Sequence, residues 1–514
     1  MLLIMIVVEY IRKHFVQIVS YLLAFLFIYA AFSKAIDFEA FQVQLAQSPF
    51  LGAFTGFVSY GVLIVEVLVA MLLLIPKRNR QGLFGSIGLM TAFTFYIHLI
   101  LLFSDFIPCS CGGILEKMGW GEHLLFNIVF LLLAIIALYV SAKEHHVDTK
   151  KEFKYVSWVM LGNMLLVIAI FGTSEHIMRT QNSFVRRFLQ YPIIEDGSLK
   201  LDNADYYFAG ADSDHIYLGS RNLPQLLTTV DTGLAKTYKM KILPDNLDHS
   251  FKKIEVQVKS PFYYFYDGTV PVIYRGKLGD PKAQTVSFGD AYFTQLAVLD
   301  SGKFAIRTQS SQTKDLVLAS FELLGKPKVN FYPTVLQKQV DGFFDVDGKL
   351  IGGGDVGNLV YTYSYRNQFI VLNKNLEVLN RLNTIDTTTI AKISTASLSD
   401  GQHKLSSPPL RVNSKSAANK NFVFIISDLM GRYESRKAWK NAKVVDIYRM
   451  DRQEYVGSFY LYNDNGKSVS DMLVTEKYLY VIIGNKLQRF YFRKPLYDKN
   501  ITGEAENLIV KSRQ

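Results

Sequence analysis

The sequence predicts two folds in one chain: a membrane α-helical bundle of four helices plus a fifth transmembrane helix, followed by an all-β domain, a six- or seven-bladed β-propeller. Three observations carry this. Uninterrupted apolar runs crowd the stretch before Thr173, and everything after it is polar, aromatic and punctuated by Gly and Asp. At 514 residues the chain also exceeds what a single hydrophobic core organises, so at least two domains are required. Residues 1–145 read as the bundle, 146–180 as a cytoplasmic loop, fifth helix and connector, and 181–514 as the β domain.

A hydrocarbon layer about 30 Å thick requires roughly 20 mostly apolar residues in a helix, because lipid offers no partner to unpaired backbone groups. Five stretches qualify, near Val16–Ser33, Ala53–Ile75, Phe84–Phe103, His123–Val140 and Val156–Thr173. The apolar opening Met1–Val8 lacks a small-residue cleavage site and precedes Arg12 and Lys13, contrary to signal-peptide order, so it is expected to lie along the inner interface or to extend the first helix.

Lys and Arg cluster in alternate loops. Arg12 and Lys13 precede the first helix, and Lys77, Arg78 and Arg80 follow the second. Lys143, Lys150, Lys151 and Lys154 follow the fourth, whereas the other two loops hold only Lys34 and Lys117. Cytoplasmic loops retain positive charge, so the N-terminus is expected in the cytoplasm of a bacterium and the fifth helix delivers the β domain to the periplasmic side of the inner membrane. The net charge of +11 is explained largely by these loops, and no nucleic-acid partner is expected. The expected partners are the lipid bilayer and a periplasmic protein or peptide client.

The chain contains two cysteines, Cys109 and Cys111, in the run Phe-Ile-Pro-Cys-Ser-Cys-Gly-Gly. Pro108, Gly112 and Gly113 forbid continuation of the third helix and force a turn at the membrane surface. Such a dithiol can close into a small strained disulfide, and strained, exposed disulfides exchange readily, which suits a redox relay better than a staple. Trp120, His123 and Asn127 follow at helical spacing, with His123 and Asn127 four apart on one face. A protonated imidazole near a cysteine favours the thiolate, whereas Trp and His at this depth also serve as interfacial anchors. Glu66 and His98 are ionisable residues inside predicted helices, where a charge faces a bundle interior or a functional path, or is satisfied across helices.

Phe32-Ser33-Lys34-Ala35-Ile36-Asp37-Phe38, Glu66, and Pro108-Cys109-Ser110-Cys111-Gly112-Gly113 followed by Trp120, His123 and Asn127 resemble the MauE branch of the DoxX-like membrane proteins over roughly the first 145 residues. That family is associated with methylamine utilisation, in maturation of a disulfide-rich dehydrogenase subunit, and with other thiol-disulfide chemistry. The resemblance implies that Cys109 and Cys111 form the redox pair. The added fifth helix and β domain depart from a simple MauE protein, so no methylamine substrate is inferred. No cofactor is assigned, and a membrane quinone is the candidate electron acceptor.

In the β domain, short strands rich in Tyr, Phe, Val and Ile include Phe262–Tyr266, Lys303–Thr308, Asp315–Phe321, Gln368–Leu372, Asn421–Ile426, Val444–Arg449, Tyr478–Ile483 and Gln488–Phe492. Asp267-Gly268, Ser301-Gly302, Asp347-Gly348 and Asn465-Gly466 predict tight hairpins. Radially arranged sheets of about 45 to 60 residues accommodate such a chain where one sandwich cannot. His215, His249 and His403 are scattered, Asp202, Asp205, Asp212 and Asp214 lack the glycine and terminal Glu of a calcium loop, and Gly352-Gly353-Gly354-Asp355 reads as a strand turn. The β domain is therefore expected to recruit a client without catalysing. The competing class is a membrane-anchored assembly module with a structural Cys109–Cys111 bond, and a third is transport through Glu66 and His98.

Overall fold

The computed structural model describes residues 2–48, 51–103, 119–180, 184–189, 191–352, 358–393, 395–397, 403–405, 409–493 and 496. The chain divides into two compact units. The first comprises Met1–Gln181 with Val185–Gln190 and Arg432–Ser435, and the second holds the remainder.

The first unit is helical: α1 (Leu2–Ile36), α2 (Phe38–Gln47), α3 (Thr55–Leu74), α4 (Asn79–Phe103), α5 (Trp120–Glu144) and α6 (Thr149–Thr180). Five segments are long and apolar enough to span a bilayer: His14–Ile36, Thr55–Leu74, Pro76–Leu101, Trp120–Glu144 and Thr149–Ser174. The opening residues extend α1. Large apolar side chains such as Phe25, Phe57, Trp158 and Leu165 stand exposed on the helices, as lipid-facing positions do.

Small residues let these helices approach, since lipid provides no hydrophobic drive between them. A Cβ on Gly82 would lie 2.6 Å from the backbone N of Leu73, and one on Gly85 would lie 2.8 Å from a methyl of Val69, so α4 packs directly on α3. Ala134 and Ala137 of α5 are fully buried in the same core, beside Leu23, Leu83 and Ile87. Charged residues are buried in this unit as well, one of which, Lys34, the sequence placed in a loop. Lys34 lies within α1 and is buried, because no breaker precedes Asp37 and the helix carries it inward. Arg186 of the connector is buried and paired with Glu434 of the same unit.

The second unit is a six-bladed β-propeller. Its four-stranded antiparallel sheets place Tyr206–Ala211, Ile254–Lys259, Gln295–Asp300, Gly348–Gly352, Asn413–Ala418 and Val469–Val474 as the inner strands, each touching its two neighbours around a closed ring. The second blade gains a short fifth strand, Leu243–Pro244. The ring is fastened where Ile193–Lys200, the first strand in sequence, pairs antiparallel with Lys486–Phe492, the last, and becomes the outer strand of the sixth blade. Second strands such as Leu359–Tyr363 and Phe422–Ser427 are buried along their full length, because a blade is covered on both faces. The cores therefore lie between blades: Tyr263, Phe265 and Tyr274 pack on Tyr217 and Leu227 of the preceding sheet.

The expected turns divide. Ser301-Gly302 is a two-residue hairpin between Asp300 and Lys303. Asp267-Gly268 opens a hairpin whose glycine is required by space, since a Cβ there would lie 2.1 Å from the Phe293 carbonyl oxygen. Asn465 and Gly466 both take left-handed φ values, 47° and 72°, yet the turn joins two blades and not two strands of one. At Asp347-Gly348 the hairpin expectation is corrected: an inner strand begins there, and Gly348 is needed because a Cβ would lie 2.3 Å from the Thr362 carbonyl oxygen.

Candidate functional site

Cys109 and Cys111, with Pro108, Gly112 and Gly113, lie outside the described residues. The three other site residues singled out by sequence lie inside the helical bundle. Glu66 of α3 is fully buried, and Lys34 Nζ donates to its Oε1 at 2.6 Å. Lys34 also sits 5.8 Å from the Phe41 ring centroid and 6.0 Å from that of Phe93, so its charge is held between a carboxylate and two aromatic faces. Glu66 Oε2 has no hydrogen-bond partner among the described residues.

His123 and Asn127 occupy one buried face of α5, which starts at Trp120 behind Gly119 and Glu122, whose carboxylate accepts the Gly119 N–H at 2.9 Å. His123 Nδ1 and Asn127 Nδ2 likewise have no partner among the described residues. Buried polar atoms are ordinarily satisfied, so these unpartnered atoms of the bundle stand out. The Trp120 and His123 rings are 6.1 Å apart, and the histidine is buried. His98 of α4 is exposed, apart from the cluster.

Sequence reasoning missed Lys34 as the counter-ion of Glu66. The available signal was a lone lysine at the end of one apolar helix and a carboxylate in the middle of the next.

In the second unit, all six inner strands or the segments flanking them line a central funnel of about 690 Å³. Its wall is stitched by side chains. Gln257 donates to the Leu296 carbonyl at 2.5 Å, Gln295 donates to the Gly348 carbonyl at 2.7 Å, and Tyr207 accepts the Val256 N–H at 2.8 Å. The acidic and histidine residues considered for metals have other work: Asp212 caps the turn before His215, Asp202 pairs with Lys239, and His249 stacks on Phe288. No metal-ligating group of three occurs among the described residues.

These features define a membrane-spanning helical bundle joined to a six-bladed β-propeller. Residues 12–140 match the family model for methylamine utilisation protein MauE, so the chain carries a MauE domain in its N-terminal region. No match is found among curated proteins. Similar solved structures include a member of the DUF4221 family from Bacteroides vulgatus, with 13% identity over 59% of this chain and 99% of that one at a TM-score of 0.39. YCF48 bound to D1 peptide shares 10% identity over 60% of this chain and 100% of the other, at a TM-score of 0.34. A protein of unknown function from Bacteroides thetaiotaomicron shares 9% identity over 59% of this chain and 73% of that one, also at 0.34.

Proposed function

We propose that this protein is an inner-membrane thiol-disulfide protein that matures a periplasmic client held by its propeller. The observation that carries this reading is the MauE match over residues 12–140 in a chain whose two cysteines both fall inside that span. A client dithiol attacks the Cys109–Cys111 disulfide through a mixed disulfide. The client then closes its own disulfide, and two electrons and two protons pass to Cys109 and Cys111. Reoxidation needs a two-electron acceptor in the membrane, for which a quinone is the candidate. The unpartnered polar atoms of Glu66, His123 and Asn127 support entry of a polar group into the bundle.

The test is trapping. With Cys111→Ser, a mixed disulfide through Cys109 should accumulate on the outer side, and Cys109→Ser should leave the chain folded and inserted but without adducts. Client oxidation at the normal rate by a chain lacking both cysteines would overturn the redox reading. A reduction potential below about −300 mV would instead mark a structural bond and favour the membrane-anchored assembly module.

A further inference from the structure

The funnel of the propeller carries a charge imbalance that its own residues do not resolve. Six cations line it: Arg221, Lys252, Lys253, Lys349, Arg411 and Lys415. Against them stand three carboxylates, and each is already engaged. Glu255 pairs with Lys253 at 2.8 Å. Asp347 receives Arg307 at 2.5 Å, from a guanidinium outside the lining. Asp471 accepts the Phe208 N–H at 3.0 Å and lies 3.7 Å from Lys349.

Lys415, on the inner strand Asn413–Ala418, has no ion-pair partner within 4 Å among the described residues. Burial lowers its pKa from the usual lysine range, and the charges of Lys349, Arg221 and Arg411 add to that effect against the pull of Asp471. Four cations from three blades and the segment leading into one of them therefore face one another across a concave space, the arrangement that focuses an attractive potential on an anion. A volume of about 690 Å³ lies within the range of small-molecule and short-peptide pockets. Gln257, Gln295 and Tyr207 spend their hydrogen bonds on neighbouring strands. Lys253, Lys349 and Arg411 have carboxylate partners in Glu255, Asp471 and Asp428, which leaves Arg221, Lys252 and Lys415 as the lining cations with no ion pair within 4 Å among the described residues.

We infer that the propeller funnel is a binding site for an anionic ligand bearing carboxylate or phosphate groups, with Lys415, Arg221 and Lys349 as its principal contacts. The inference deepens the client-recruiting reading, for which the ligand is an acidic segment of the client. A free small polyanion offers the same chemistry.

Full-length protein in detergent micelles is titrated with a hexaglutamate peptide and, separately, with citrate and inorganic phosphate, using calorimetry at low salt. Binding of at least one probe is expected, with a loss of about tenfold or more in Lys415→Gln and in Arg221→Gln. Affinity should fall as sodium chloride rises from 50 to 500 mM. A bound anion favours charged Lys415, so affinity should also fall as pH rises through a range below that of an ordinary lysine. Lys415→Arg should keep the binding and lose that pH dependence.

Tight hexaglutamate with weak citrate and phosphate assigns the site to a polypeptide, and the reverse assigns it to a small polyanion. No binding by any probe, or affinities unchanged in both glutamine variants, would overturn the inference. The titrations are repeated in a variant lacking both cysteines, so that a failure of the redox reading leaves this result standing.

Discussion

Lys34 and Glu66, 32 positions apart in sequence, meet at 2.6 Å between α1 and α3 with almost no exposure of either side chain. An ion pair in this setting contributes little net stability when intact, because both groups were desolvated to form it, but removing one partner leaves an uncompensated buried charge. Lys34→Met is therefore expected to destabilise the bundle by about 3–5 kcal/mol. Lys34→Met combined with Glu66→Leu should recover most of that loss. Thermal unfolding in micelles checks both, and equal melting temperatures for wild type and Lys34→Met would contradict the pairing.

Asp267 is buried at a hairpin of the second blade, and each of its oxygens accepts two backbone N–H groups: Lys252 and Lys253 on one, Thr269 and Val270 on the other. Burial alone would raise its pKa, but these four donors outweigh burial and hold the carboxyl below the usual aspartate range. With the folded value depressed, the stabilisation is present above about pH 4, the ordinary aspartate value, and is lost as pH falls through the folded pKa. Asp267→Asn can replace only one accepting oxygen, so it should cost about 1–3 kcal/mol for each donor left unsatisfied. It should also flatten this part of the acid unfolding profile, followed by circular dichroism.

Arg307 joins two blades. Its guanidinium donates to Thr294 Oγ1 at 2.9 Å, to the Gly348 carbonyl at 3.0 Å and to Tyr361 Oη at 3.2 Å, as well as to Asp347. A lysine ammonium lacks the planar fork needed to reach acceptors arranged this way. Arg307→Met is expected to lower local stability by about 3 kcal/mol, with Arg307→Lys recovering less than half. Hydrogen exchange provides the measurement: amides of Gly348–Gly352 should lose protection while those of Tyr206–Ala211 stay unchanged.

Much of the architecture was legible because its causes are local. Apolar length alone marks the spanning helices, since a backbone in lipid must satisfy its hydrogen bonds within the segment, and all five expected stretches coincide with candidate spans. Gln368–Leu372 and Tyr478–Ile483 match observed strands to the residue, because side-chain pattern and adjacent turns delimit them. The resemblance of the first 145 residues to MauE was carried by short motifs that survive without a structure, and the family match covers residues 12–140.

What the sequence by itself determined, then, was the division into a helical membrane part and an all-β part. Only the tertiary structure decided that Lys34 is the buried partner of Glu66, that the ring holds six blades, and that Ile193–Lys200 closes it against Lys486–Phe492. It likewise brought Arg221, Lys349 and Lys415 to one funnel from three different blades. The reason is the range of the interactions. Helix formation and turn geometry depend on neighbours a few residues away, whereas the partner of a charge, the register of a closing strand and the convergence of inner strands depend on residues tens to hundreds of positions apart.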